Sequence, residues 1–294
     1  MKKVKSWVCL ILTAAMLLVL PACGGNGETA DSDSANSASG ETYTWRIAHN
    51  NAEDSQWQLN LLELSDLVKE ASGGQLVIEL YPNSQLGDDT AMCEMIRNGN
   101  LDMMVTGGEV PGRWYSPVNL MAMPYLFKDL DHLERCIYGE PGEIMAKGLS
   151  QAGLGVFDYW LRANRQILSK ELIETLDDMQ GLKIRVPETD IWIKSMESLG
   201  ANPTPVAFSE SFTALQQGVV DAIENPLSAM YTMRFHEVCP NLALTNHTVC
   251  CATVLYNEDN YAKLPKDLQT VLRECMDQIR EKNNEITRDE DAYY

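Results

Sequence analysis

The chain has 294 residues, 45% hydrophobic and 22% charged, so it is long enough to bury a substantial core and to form about two domains. Its 42 acidic residues outnumber its 23 lysines and arginines and give a net charge of −19. This balance argues against nucleic-acid binding, because phosphate contacts need concentrated positive charge. It does not argue against a small anionic ligand, since one buried arginine can outweigh distant acidic residues.

The N-terminus is typical of an export signal that ends at a lipid-modification site. Lysines precede an apolar segment over residues 7–20, which has the length of a signal-peptide core and is short for a membrane span. The sequence LPACG at residues 20–24 then resembles the bacterial lipobox, whose cysteine carries lipid. We predict a signal peptide over residues 1–22 and a lipidated Cys23. An ordinary signal peptide with a chance cysteine is the alternative.

The segment that follows the predicted cleavage point, residues 23–42, is predicted to be a flexible tether. It is rich in Gly, Ser, Asp and Asn and has almost no large apolar residue that could join a core. The tether and the lipid together predict an extracytoplasmic protein anchored to the cell membrane, on its periplasmic or cell-surface side.

Beyond the tether, hydrophobic periodicity predicts strands alternating with helices, which is typical of a layered α/β fold. The first set is a strand over 43–50, a helix over 54–71, strands over 75–81 and 101–106 separated by a helix over 88–97, a helical stretch over 129–151, and a strand over 153–160. The second set is a helical turn over 175–179, strands over 183–187, 201–206, 219–223 and 248–256, and helices over 190–199, 210–217 and 266–287.

Cysteine and histidine spacing gives little sign of a metal centre. The H-x-x-C pairs at 236–239 and 247–250 have ligand-like spacing. However, Cys250 and Cys251 fall in a strand pattern, where neighbouring side chains face opposite sides. We predict buried free thiols, no metal site and no cofactor.

Three segments resemble the solute-binding proteins of TRAP transporters, the tripartite ATP-independent family also called DctP-like. They are LYPNSQLGDD at residues 80–89, MQGLKIRVP at 179–187 and NPTPVAFSESFTALQQGVVDAIENP at 202–226. Their order and spacing match the family, and the resemblance extends from Tyr43 to the end of the chain. The family usually continues for several dozen more residues, so we expect a truncated C-terminus.

The resemblance implies a two-lobed fold like that of periplasmic binding proteins, with a ligand cleft between the lobes. Lobe I would comprise residues 43–162 and about 251–290, and lobe II residues 163–250 and 291–294. Such a protein binds an organic acid, a sugar acid or small carboxylate, without catalysis. It delivers the acid to a small and a large membrane subunit.

Arg185 is the first candidate for contacting the ligand. It lies between Ile184 and Val186 in a predicted strand, so its side chain faces away from these two apolar neighbours. A guanidinium group matches a carboxylate with two parallel hydrogen bonds. The resemblance implies that Arg185 holds the ligand carboxylate; a solvated surface arginine is the alternative.

Five further ligand contacts are implied by the resemblance, and three of them have an alternative. Arg165 matches a second arginine beside the acid, and Arg162 is a nearby competitor for that position. Asn225 matches an asparagine that bonds the acid, although it could instead cap a helix before Pro226. The other three contacts are Asn50, for which an ordinary loop residue is the alternative, Asp89 and Phe208.

Two other functions fit parts of the sequence. An ABC-type binding lipoprotein would share the signal, tether and fold, but the spacing from GLKIRVP to ENP favours the TRAP type. An anchored extracellular hydrolase would need a nucleophile with a base, or a carboxylate pair. The sequence contains neither G-x-S-x-G nor H-E-x-x-H, and its four histidines are scattered.

Overall fold

The structure is a computed structural model that describes residues 41–293, and side chains as far as residue 290. The predicted signal peptide, Cys23 and nearly all of the tether lie outside the described residues. Among those that are described, no helix combines the length and apolar character needed to cross a bilayer.

One mixed sheet of eight strands forms the centre of the described chain. Its strands are β1 (Tyr43–His49), β2 (Leu76–Tyr81), β3 (Met103–Gly107), β4 (Gly155–Ser169), β5 (Lys183–Val186), β6 (Asn202–Pro205), β7 (Ala222–Pro226) and β8 (Asn241–Tyr256). The strand order is β2-β1-β3-β8-β4-β7-β5-β6. Pairing is antiparallel where β4 or β8 takes part and parallel elsewhere.

Helices cover both faces of this sheet. In the described chain they are α1 (Gln56–Ala71), α2 (Asp89–Arg97), α3 (Leu130–Ile137), α4 (Glu140–Gln151), α5 (Asp190–Ser198), α6 (Ser211–Gln216), α7 (Leu227–Thr232), α8 (Glu258–Lys263) and α9 (Lys266–Tyr293). The α1 helix illustrates why they form: Ser55 caps its first turn by accepting from the Gln58 amide, and Leu61, Leu64 and Val68 bury one stripe.

Alternation along the strands sends apolar side chains to both faces. In β1, Ile47 packs beneath α1 and α9, whereas its neighbour Ala48 packs with α2 and α4 on the other side. Two further apolar clusters flank β5 and β7 in the second half of the sheet. Helices on both sides of a mixed sheet confirm the predicted α/β class.

Several predicted boundaries were wrong for identifiable reasons. The strands predicted over 153–160 and 248–256 are the longer β4 and β8. The extension of β4 carries polar residues that are nevertheless buried, whereas the extension of β8 alternates between half-buried and exposed residues before His247. The predicted helical stretch over 129–151 is two helices, α3 and α4. They separate at Gly139, where a Cβ atom would lie only 2.6 Å from the Arg135 carbonyl oxygen.

The other errors concern short elements. The strand predicted over 219–223 is β7, three residues further on, because Val219 lies in an exposed turn. Sequence periodicity also missed α7 and α8, which are each only six residues long.

The strands β4 and β8 run through both halves of the sheet. Their pairing is irregular at two adjacent places near the middle. Arg162 pairs with Cys250 and Arg165 with Thr248, which leaves one extra residue on β4; Ile167 then pairs with Ala243, which leaves extra residues on β8. The predicted lobe boundaries, 162/163 and 250/251, fall at this bulge. The division into lobes at these residues stays a prediction.

Candidate ligand-binding cleft

A cavity of about 360 Å³, which includes space open to solvent, lies where the two halves of the sheet meet. One side comes from the ends of β1 and β3, from the start of α2 and from α1; the other comes from β5, β7 and the Phe208 turn. All six residues predicted to contact a ligand line this cavity: Arg185, Arg165, Asn225, Asn50, Asp89 and Phe208. Their roles toward a ligand stay predictions.

Arg185 is a buried cation without a counterion among the described residues. Its neighbours Ile184 and Val186 are buried in an apolar cluster, as strand alternation predicted. Only 3% of Arg185 is exposed. Its Nε donates to the Val206 carbonyl oxygen at 2.9 Å, and its guanidinium lies 5.5 Å from the Phe208 ring centre. Neither terminal nitrogen donates to a described residue, so both remain available in the cavity.

The burial of Arg185 changes the pKa of its guanidinium group and makes its charge costly. Removal from water lowers the pKa of Arg185 to about 10, even though the Glu224 and Asp89 charges oppose the shift. The side chain is therefore still charged at neutral pH. A buried charge without a partner is costly, and an anion in the cavity would remove that cost.

Arg165 also lines the cavity, but its charge is already compensated. Its Nε and one terminal nitrogen donate to the two carboxylate oxygens of Glu224 at 2.5 and 2.7 Å. The guanidinium also stacks 4.5 Å from the Trp192 ring. Glu224 in turn lies 3.4 Å from Nε2 of His247. This fully buried network fixes β4 against β7 and leaves Arg165 fewer free donors than Arg185.

Arg162, the alternative to Arg165, lines the cavity as well. Its guanidinium lies 4.9 Å from the Trp57 ring, and one terminal nitrogen donates to Oδ1 of Asn225 at 3.3 Å. It forms no ion pair within the described residues. Asn225 lies in β7 and does not cap α7: Pro226 occupies the capping position, without a side-chain hydrogen bond.

The opposite side of the cavity is acidic. Asp89, the first residue of α2, accepts hydrogen bonds from Asn50 Nδ2 and from Thr106 Oγ1, both at 2.6 Å. Burial raises the pKa of Asp89, and these two bonds oppose the shift. Close by, Glu109 Oε1 accepts from Trp192 Nε1 at 2.9 Å. The carboxylates of the cavity therefore come from the start of α2 and the residues after β3, whereas its cations come from β4 and β5.

Sequence reasoning missed Glu109 and Trp57 as cavity residues. Trp57 falls on the apolar stripe of α1, so its pattern predicts a core residue only. Glu109 follows two glycines, and this is the one feature of the sequence that could have indicated its position in the cavity. A Cβ atom on Gly107 would lie 2.9 Å from both carboxylate oxygens of Glu109, so the glycine leaves room for the carboxylate to fold back.

The chain was compared with known families and proteins. The family model described as bacterial extracellular solute-binding protein, family 7 (DctP), matches residues 47–294. The sialic acid-binding periplasmic protein of Vibrio cholerae is 32% identical over 230 residues, which cover 78% of this chain and 72% of that protein.

Solved structures agree with this assignment. A TRAP periplasmic solute-binding protein from Roseobacter denitrificans with bound L-galactonate superposes with a TM-score of 0.82 at 28% identity, covering 87% of this chain and 86% of that one. One from Sulfurospirillum deleyianum with bound succinate gives a TM-score of 0.81 at 30% identity, covering 84% and 80%. The predicted two-lobed fold is thereby confirmed. The chain belongs to family 7 of the bacterial extracellular solute-binding proteins, the DctP family of TRAP transporters.

Proposed function

We propose that the protein captures an organic acid, a sugar acid or another small carboxylate, in this cleft and delivers it to the membrane subunits of a TRAP transporter. The observation that carries the proposal is the state of Arg185, a buried cation whose two terminal nitrogens have no described partner. A ligand carboxylate would accept both hydrogen bonds in parallel and supply the missing negative charge.

The relatives support this ligand class. L-galactonate and succinate, the ligands in the two solved structures, are both carboxylates. The family match also favours a TRAP binding protein over the ABC-type lipoprotein and the anchored hydrolase. A carrier without catalysis needs only to hold and release its ligand, and the residues of the cleft suit that role.

The position of the site also supports a carrier. Asn50 and Asp89 belong to one half of the sheet, and Arg185 and Asn225 to the other. A ligand that contacts both sides would draw them together and lose its water, which couples binding to a change of shape that membrane subunits could recognise.

A panel of organic acids, measured by thermal shift and then calorimetry, tests the proposal. We expect at least one carboxylate to stabilise the folded protein by about 2.7 kcal/mol when it is present at about 100 times its dissociation constant. The same compounds as primary amides are the control and should have little effect. If the amides stabilise the protein as strongly as the acids, or if no acid binds, carboxylate capture by this cleft is wrong.

We also propose that Cys23 carries lipid and anchors the protein outside the cytoplasm. The apolar segment before it and the small residue at Ala22 support the proposal. Cys23→Ala is expected to abolish lipid attachment and to leave the protein unprocessed or released from the membrane. Membrane fractionation and mass spectrometry of the N-terminal peptide decide the outcome. Anchoring equal to that of the parent would show that the lipobox interpretation is wrong.

A further inference from the structure

We propose that the acidic side of the cleft selects a hydroxylated monocarboxylate over a diacid of the same length, and that Glu109 is the selecting residue. The inference rests on the proposed function, because it concerns the same cleft. The relatives do not decide between the two classes, since L-galactonate is a hydroxylated monocarboxylate and succinate is a diacid.

Glu109 has one carboxylate oxygen to offer a ligand. The residue is only 3% exposed, yet it lines the cavity. Its Oε1 accepts the Trp192 hydrogen bond, whereas Oε2 accepts none from the described residues. Within the same described part of the chain, Glu109 forms no ion pair. A ligand hydroxyl that donates to Oε2 would complete its hydrogen bonding.

Asp89 makes the same side of the cavity more negative. Both of its oxygens already accept hydrogen bonds, from Asn50 and from Thr106. The Glu109 charge raises the pKa of Asp89 and the Arg185 charge lowers it, in addition to the larger effect of burial. Glu109 and Arg185 are therefore both close enough to Asp89 to act on it electrostatically.

Counting charges predicts which ligand fits. Arg165 and Glu224 neutralise each other, which leaves Arg162 and Arg185 as cations and Asp89 and Glu109 as carboxylates. The empty cleft is thus close to neutral overall. One ligand carboxylate can pair with Arg185, but a second would find only Arg162 and would give the cleft two excess negative charges. Beside Asp89 and Glu109 it would be buried next to like charges, which weakens binding in a desolvated site.

Two matched pairs of acids test the selection by calorimetry on the purified protein. Galactonate and galactarate differ only at the terminal carbon, which is a CH2OH group in the first and a carboxylate in the second. The compounds 4-hydroxybutyrate and succinate differ in the same way. We expect the hydroxy acid of at least one pair to bind at least about tenfold more tightly than its diacid.

Glu109→Gln is the decisive variant, because its amide oxygen can still accept from Trp192 while the charge is gone. We expect it to bind the diacid more tightly than the parent does, and to reduce the preference by about tenfold or more. Glu53→Gln is the matched control: it removes the same charge from an exposed residue and should leave the preference unchanged.

Each opposite result overturns the selection. If the parent protein prefers the diacid in either pair, the proposed selection is wrong. If Arg162→Gln then loses this preference for the diacid, Arg162 holds the second carboxylate. If 4-aminobutyrate binds more tightly than 4-hydroxybutyrate, the site selects a cationic group and not a hydroxyl, and the proposed selection is wrong. If none of these acids binds but another carboxylate does so through Arg185, the selection is wrong and the proposed function stands.

Discussion

Replacing Arg185 with alanine is expected to weaken binding of the ligand by about a hundredfold to several thousandfold. The range corresponds to about 3–5 kcal/mol, the loss typical when one partner of a buried charge pair is removed. Arg185→Lys should recover only part of this loss, because an ammonium group cannot supply two parallel donors. Arg135→Ala, on the exposed side of α3, is the control and should bind like the parent.

A double-mutant cycle identifies the group that Arg185 contacts. Converting the ligand carboxylate to an amide should weaken binding strongly in the parent but little in Arg185→Ala, because the two changes remove one interaction. Calorimetry on the four combinations measures this coupling. An amide penalty that is equally large in both proteins would mean that Arg185 does not hold the carboxylate, and Arg165 or Arg162 would become the leading candidate.

Glu224→Ala is expected to have the largest effect on stability. Arg165 is only 2% exposed and would lose the carboxylate that compensates its charge. Leaving such a charge buried and unpaired should lower the free energy of unfolding by about 3–5 kcal/mol. Urea denaturation followed by circular dichroism measures the change. Glu237→Ala removes the carboxylate of an exposed pair with Arg234 and should cost less than about 1 kcal/mol.

The same network predicts the sign of a pH effect. Burial alone would raise the pKa of Glu224, but the Arg165 charge and the hydrogen bonds from His247 and Arg165 hold it below its usual value of 4.5. The unfolded chain therefore binds a proton at Glu224 more readily than the folded protein does. The stability that Glu224 contributes is complete above about pH 4.5 and is lost as the pH falls through its folded-state pKa. Equal costs of Glu224→Ala and Glu237→Ala at pH 7 would contradict this account.

Cleft residues that a single sequence segment identifies could be predicted, whereas contacts between residues of distant segments could not. Arg185 was found because strand alternation and its surrounding motif agreed. The Glu224 partner of Arg165 lies 59 residues away, and their pairing depends on β4 lying beside β7. The position of the Glu109 carboxylate depends on the space left by Gly107 and on the hydrogen bond from the indole of Trp192, which is 83 residues distant.

The fold was predictable where apolar residues alternated regularly and was missed where buried residues were polar. In β4, the second half contains Arg165 and Gln166, both almost fully buried, so hydrophobicity alone ended the predicted strand too early. Their burial is possible because partners on β7 and β8 satisfy their hydrogen bonds. Such partners become visible only when the strand order is known.

The ladder between β4 and β8 restricts how the two halves of the sheet can move. The strands pair with each other on both sides of the bulge at Arg162 to Arg165. Sliding one half along the other would break hydrogen bonds throughout the ladder, whereas bending at the bulge would spare those on either side. The pairing therefore favours an angular motion about a short axis beside the cavity. An opening of this kind would separate the two sides of the cavity and keep the order of the residues along each strand, so a later closure would bring the same residues together again.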